Sequence, residues 1–267
     1  MATALLLLRR PPRPLLARAA SSSSSAQWKQ RQTRDRYARD ARVQGLKSRA
    51  AFKLLEMDAK YRLFRPNQLV VDLGYAPGSW SQVAVDRTRP HGQVVGIDLI
   101  PAQPPRGVAS FQGDFLSPAV RRLVTDFVVR HRRQRLEEDD GASYIDRERH
   151  LDGAAADDDA SSSQLLVDLL LSDMLMNTSG HALRDHAGSM DLCSAALQFA
   201  SHTLRPGGSF VCKFYQGADD KALELRLKKL FTRVHREKPD SSRSESKESY
   251  FVALKRRQGV TLDDESE

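Results

Sequence analysis

Only two cysteines, Cys193 and Cys212, occur in the 267 residues. They are too few for a disulfide framework and stand at no metal-ligand spacing, so a reducing compartment is the simplest setting for the chain. Long apolar runs are also missing. A helix needs roughly 20 apolar residues to cross a bilayer, whereas the longest candidate, 165–176, carries Asp168 and Asp173 within it. No Gly-x-Gly-x-x-Gly fingerprint and no Gly-Lys-Ser/Thr phosphate loop is present, so the usual devices for a pyrophosphate are lacking. No Gly-x-Ser-x-Gly nucleophile elbow occurs. Collagen-like, disulfide-rich and wholly disordered classes are excluded by composition. With 40% hydrophobic residues, the length suits one domain with extensions.

Acidic residues are absent from the first 34 positions, which hold seven Lys+Arg and the serine run Ser21 to Ser25. That composition is expected of a mitochondrial or plastid presequence, here assigned to residues 1–35, disordered and outside the fold. Residues 1–65 carry 16 Lys+Arg against 4 Asp+Glu, while 134–163 carry 3 against 10, within a total formal charge of +8. Cations placed so unevenly suit a polyanionic partner, because each one set against a phosphate releases condensed counterions. The acidic stretch, rich in Asp, Ala and Ser, is expected to be a solvated insertion. Residues 258–267 are expected to form an acidic tail.

From about Tyr37 the pattern becomes that of a folded α/β domain. Ser48 is placed to cap a helix over 49–61 whose inner face holds Ala51, Leu54, Leu55 and Asp58. Strands are expected at 69–73, 93–98, 108–112, 165–171, 209–213, 233–238 and 249–254. Helices are expected at 80–87, from Pro118 to about Arg133, at 191–204 and at 219–231. This alternation implies a seven-stranded, mostly parallel, Rossmann-like sheet with helices on both faces. The last two strands have no helix between them, so one should run antiparallel.

In such a sheet, ligands sit beyond the carboxyl ends of the strands where the winding reverses. Asp72-Leu73-Gly74-Tyr75-Ala76-Pro77-Gly78-Ser79-Trp80 leaves the first strand there. Gly74 permits a tight turn and close approach of a ligand, and Gly78 relieves crowding at the following helix start. Asp98 ends the second strand and is placed to accept from two ribose hydroxyls. Asp114 follows the third and is placed to accept from an exocyclic adenine amine. Trp80 is a candidate pocket wall or, equally, a core residue. Taken in this order, the residues point to S-adenosylmethionine. His181, His186 and His202 are read as ordinary surface or loop histidines.

Five segments then resemble one family. They are Ser48-Arg49-Ala50-Ala51-Phe52-Lys53-Leu54, the Asp72 to Gln82 segment, Leu171-Ser172-Asp173-Met174, Gly207-Gly208-Ser209-Phe210-Val211-Cys212-Lys213, and Lys238-Pro239-Asp240-Ser241-Ser242-Arg243 with Glu248-Ser249-Tyr250. Together they resemble the FtsJ (RrmJ) family of S-adenosylmethionine-dependent RNA 2′-O-ribose methyltransferases, over roughly 36–257. The presequence-like start makes the chain most similar to the mitochondrial branch, whose substrate is a uridine of large-subunit rRNA.

The resemblance implies a catalytic tetrad of Lys53, Asp173, Lys213 and Glu248. It also implies cofactor contacts at Gly78, Trp80, Asp98, Asp114 and Asp173, with Gly74 at the turn. Ser79 and Tyr75 depart from the smaller residues common at those positions. Independently of the family, methyl transfer from a sulfonium to a hydroxyl needs in-line positioning and removal of a proton. Lys213 can take that proton only as a free amine, a form favoured by a second ammonium at Lys53 and by the sulfonium. Asp173 and Glu248 oppose that shift but orient the two lysines. RNA contact is expected at the stretch from Arg34 to Arg42 and at Lys47, Arg49, Lys60, Lys238 and Arg243, mostly through phosphates. The chain is expected to be a monomer in the mitochondrial matrix, acting on rRNA within a large-subunit precursor, without membrane insertion. A non-catalytic RNA-binding assembly factor and a tRNA or cap ribose methyltransferase remain the alternatives at this point.

Overall fold

The computed structural model describes residues 35–139 and 165–262. The presequence segment up to Arg34 and most of the acidic insertion lie outside them. The described elements are α1 (Arg36–Val43), α2 (Ala50–Tyr61), β1 (Leu69–Leu73), α3 (Ser79–Thr88), β2 (Gln93–Asp98), β3 (Val108–Gln112) and α4 (Pro118–Asp139), followed by β4 (Val167–Ser172), α5 (Ala182–Thr203), β5 (Leu204–Tyr215), α6 (Asp220–Leu230), β6 (Phe231–Glu237) and β7 (Glu248–Arg256).

Seven strands form one sheet in the order β3-β2-β1-β4-β5-β7-β6. Every pairing is parallel except those of β7, which runs antiparallel to both β5 and β6. The central strands β1 and β4 are buried on both faces, which is why they read as nearly unbroken apolar runs instead of alternating ones. Leu69, Val71 and Leu73 pack on one side with residues of α4, α5 and α6. Val70 packs on the other with Ala51, Leu54 and Met57 of α2 and Trp80, Val83 and Ala84 of α3. Each such aliphatic side chain contributes about 1.5–3 kcal/mol on burial. Helices therefore cover both faces, and the winding reverses between β1 and β4.

α2 starts one residue later than expected, at Ala50, with Arg49 instead of Ser48 at the cap position and no side-chain cap; the Ser48 hydroxyl accepts from the Ala50 N–H at 3.2 Å just ahead of it. Three boundaries differ from the expected ones by more than two residues. α4 runs to Asp139, past the anticipated end near Arg133, because Gln134 to Glu138 are good helix formers despite their charge. α5 starts nine residues early, at Ala182, since its polar first turns are satisfied internally. Asp185 accepts the N–H groups of Ser179 and Gly180 and the Ser179 hydroxyl. β5 starts at Leu204 and carries Pro206-Gly207-Gly208, with a register irregularity against β4 between Val167 and Leu169. The segment after β7 is packed at first: Val260 and Leu262 lie against the core, and the Leu262 N–H donates to Ser201 Oγ at 2.8 Å. No helix among the described residues is long and apolar enough to cross a membrane.

Candidate active site

The carboxyl edge of the sheet gathers the charged residues. β7 enters at this edge because it is antiparallel, so its first residues meet the last of β5: Glu248 pairs with Tyr215, and Tyr250 with Lys213. With period two along each strand, all four side chains share one face. α2 lies over that face, and Lys53, in its first turn, reaches Glu248 Oε1 at 2.6 Å. On the adjoining strand end, Lys213 Nζ lies 3.1 Å from Asp173 Oδ1 and donates to the Asp173 carbonyl at 2.6 Å. The Asp173 N–H is tied to the Leu73 carbonyl at the end of β1, which fixes this group at the switch point. The structure thus brings Lys53, Asp173, Lys213 and Glu248 together as two ion pairs, shielded from water to similar degrees.

Tyr250 links the two pairs. Its hydroxyl donates to Asp173 Oδ1 at 3.0 Å, and Lys53 Nζ lies 5.8 Å from the centre of its ring. Burial, with the Asp173 and Glu248 charges behind it, pushes the Tyr250 phenol well above its ordinary range, so it serves as a donor. Tyr215 is likewise pushed up, by burial and then by Glu248. Neither tyrosine stands out as a site residue in the sequence, although the period-two spacing from Glu248 to Tyr250 places the latter on the same face.

Toward β1 the backbone opens. Gly74 has φ +76° and Gly78 has φ +105°. A Cβ on Gly74 would come within 2.8 Å of the Met174 backbone, and one on Gly78 within 2.7 Å of Pro105, so neither position accepts a side chain. The Asp98 carboxylate holds the loop by accepting from the Ala76 N–H at 2.9 Å and the Ile100 N–H at 2.8 Å. Each oxygen keeps a lone pair for a further donor. Exposed Asp114 accepts only from the Leu116 N–H among the described residues. Leu99, Ile100 and Leu116, next in sequence to these carboxylates, are exposed apolar side chains.

Trp80 is placed differently from a pocket wall. Its side chain is buried in the core beside Tyr250, and its indole N–H donates to the Ala50 carbonyl. What it presents at the loop is its backbone N–H, one of the free donors in the first turn of α3. Tyr75 is also buried, its ring against Gly96 and its hydroxyl donating to Ala102. Ser79 meets Ser48 hydroxyl to hydroxyl. His186, expected at the surface, is buried: Nδ1–H donates to the Tyr215 carbonyl and Nε2 accepts from the Asp219 N–H, so the ring braces the end of β5.

Several cations expected at RNA are held within the protein. Lys60 pairs with Glu237 at 2.7 Å, Lys238 donates to the Ser244 and Ser246 carbonyls, and Lys47 donates to the Gln103 carbonyl. Arg49 and Arg243 line a cavity of about 240 Å³ with Lys53, Tyr215, Ser246 and Glu248.

A Saccharomyces cerevisiae protein named rRNA methyltransferase 2, mitochondrial, is 39% identical, across 87% of this chain and 88% of its own length. Its namesake in Schizosaccharomyces pombe is 37% identical, across 86% and 95%. A Zymomonas mobilis protein named ribosomal RNA large subunit methyltransferase E is 41% identical, across 86% and 87%. The crystal structure of a Plasmodium falciparum protein described as a ribosomal RNA methyltransferase superposes with a TM-score of 0.56 at 27% identity, covering 78% of this chain and 97% of that one. The profile of FtsJ-like methyltransferases matches residues 46–256, a span that encloses both ion pairs, the glycine turn and every strand of the sheet, and the chain therefore belongs to the FtsJ-like methyltransferase family.

Proposed function

We propose that the chain transfers a methyl group from S-adenosylmethionine to the ribose 2′-hydroxyl of a uridine in mitochondrial large-subunit rRNA, within a ribosomal precursor. The observation that carries this reading is the double ion pair around Tyr250 at the switch point, beside a glycine turn bordered by carboxylates. The names of the relatives support rRNA as substrate and, for the two yeasts, the mitochondrion. The acid-free, arginine-rich first 34 residues support import to the matrix by a presequence that ends before Asp35, one residue short of the expected boundary, because Asp35 caps α1 and pairs with Arg49.

The residues present suit the cofactor. The two glycines leave the turn free of side chains, and the first turn of α3, with the Trp80 N–H, offers unpaired donors. Asp98 retains acceptor capacity for ribose hydroxyls, Asp114 for an adenine amine, and Leu99, Ile100 and Leu116 offer apolar surface to a flat ring. When bound, S-adenosylmethionine supplies an electrophilic methyl group on a sulfonium. The protein supplies the rest. As a free amine, Lys213 spends its two N–H groups on the Asp173 carbonyl and carboxylate, and its lone pair is left for the proton of the acceptor hydroxyl. Lys53, steered by Glu248, adds positive charge where the oxygen becomes negative.

Purified protein is expected to transfer labelled methyl from the donor to alkali-resistant ribose positions of large-subunit rRNA. Label on bases or on protein would overturn the assignment. Tyr250→Phe removes one hydrogen bond to Asp173, worth about 1 kcal/mol net. Steady-state kinetics should show kcat reduced roughly five- to tenfold with the donor KM little changed; an unchanged kcat would remove Tyr250 from the site.

A further inference from the structure

A cavity of about 250 Å³ adjoins the one lined by Lys53 and Glu248 and shares two of its lining residues, Arg49 and Arg243. Both guanidinium groups converge on one oxygen of Asp35. Arg49 Nη1 is ion-paired with Asp35 Oδ2, and Arg243 Nη2 lies 3.6 Å from the same atom. The Asp35 side chain is only 9% exposed. Two guanidinium groups side by side repel each other and need an anion between them, and their planar forks match phosphate oxygens as well as a carboxylate. Arg49 precedes Lys53 by four residues, so the fork stands about one helical turn from the lysine that serves the reaction.

The turn behind the fork is short of partners. Arg49 Nη2 donates to the Ser241 carbonyl, and Glu56 holds the Ser241 N–H. The hydroxyls of Ser241 and Ser242 are buried with no hydrogen-bond partner among the described residues. Asp35, by contrast, has a modest task of its own: it caps α1 by accepting from the Ala38 N–H at 3.2 Å.

We infer that Arg49 and Arg243 form the subsite for the phosphodiester next to the ribose being methylated, and that Asp35 fills this subsite until the RNA strand displaces it. The inference rests on the RNA methyltransferase reading above. Asp35 then acts as an internal competitor, lowering affinity for phosphate chains that cannot also supply a ribose to Lys213, while keeping the two arginines in place between turnovers.

Asp35→Asn separates the two roles of the residue, because asparagine caps a helix as well as aspartate does but carries no charge. A short fluorescent single-stranded oligoribonucleotide is titrated by anisotropy over a range of salt concentrations, with wild type, D35N and the double variant D35N/R243Q. D35N is expected to bind about three- to tenfold tighter, with a salt slope steeper by roughly 0.7, the increment for one further phosphate contact on a single strand. D35N/R243Q should lose that gain. If D35N has a lower Tm, Asp35→Ser, which also caps, carries the same expectation. Equal or weaker binding by these variants would overturn the inference and make Asp35 a strut for α1. Ribose labelling by the wild-type protein is read on the same preparation. Labelling without any affinity gain sinks the Asp35 competitor alone, whereas absence of ribose label sinks the functional reading beneath it.

Discussion

Lys213→Ala is expected to lower methyl transfer by about 10²–10⁴-fold, the range for removal of a positioned general base, while donor affinity stays within a few-fold of wild type. The geometry sets both halves of this expectation. Lys213 Nζ touches Asp173, an expected cofactor contact, through the carbonyl and the carboxylate, and among the described residues its ion pair and hydrogen bond leave the glycine turn, Asp98 and Asp114 uninvolved. Loss of the amine removes the proton acceptor and leaves the cofactor surface standing. The complication is that Lys213 is a buried cation, and deletion of one partner of a buried pair costs stability as well. Lys213→Arg answers this. Guanidinium keeps the charge beside Asp173 but is never deprotonated in proteins, so this variant should keep Tm and donor binding and still lose transfer. Single-turnover assays with titration calorimetry of S-adenosylhomocysteine check each part. Transfer by Lys213→Arg within tenfold of wild type would show that charge, not proton acceptance, is what the position supplies.

Much of this arrangement is legible along the chain, for reasons that differ by element. β1 and β4 are buried on both faces, so Leu69-Val70-Val71 and Leu169-Leu170-Leu171 announce themselves without periodicity. The inner face of α2 reads from helical spacing. The antiparallel final strand follows from the lack of a crossover between β6 and β7, and that reversal is what carries Glu248 to Lys53. Harder to see is any polar group whose partner is distant in sequence. The first turns of α5 resemble a loop because Asp185 and His186 are polar, yet both are buried and satisfied by Ser179, Tyr215 and Asp219. Trp80 looks like a ligand wall until its indole is seen bonded to Ala50 on a helix 30 residues earlier. Lys60 and Lys238 count as free charge in a composition, but tertiary contacts occupy them. Charge patterning measures how much cation there is; only the fold shows which cations are left for RNA.

Asp72→Asn should change how stability depends on pH more than any other single substitution. Asp72 is wholly buried in β1, one residue before the end of the strand, and Ser81 donates to its Oδ2 at 2.6 Å. Oδ1 has no partner among the described residues. Burial pushes the carboxyl from 3.8 up to about 7; the Ser81 hydrogen bond works against this, and the charges of Asp173 and Asp98 add to it. Between about pH 4 and 7 the folded chain therefore holds a proton that the unfolded chain has released. Because the folded state binds more protons in that window, stability falls as pH rises through it. Below pH 4 the penalty is absent, and above pH 7 it is complete, about 4 kcal/mol at most for three pKa units. Asparagine carries no charge at any of these values. Urea unfolding at pH 5 and pH 8 should show wild type losing about 3 kcal/mol more than the variant across that interval; equal losses would mean that the buried group is already ionised at pH 5.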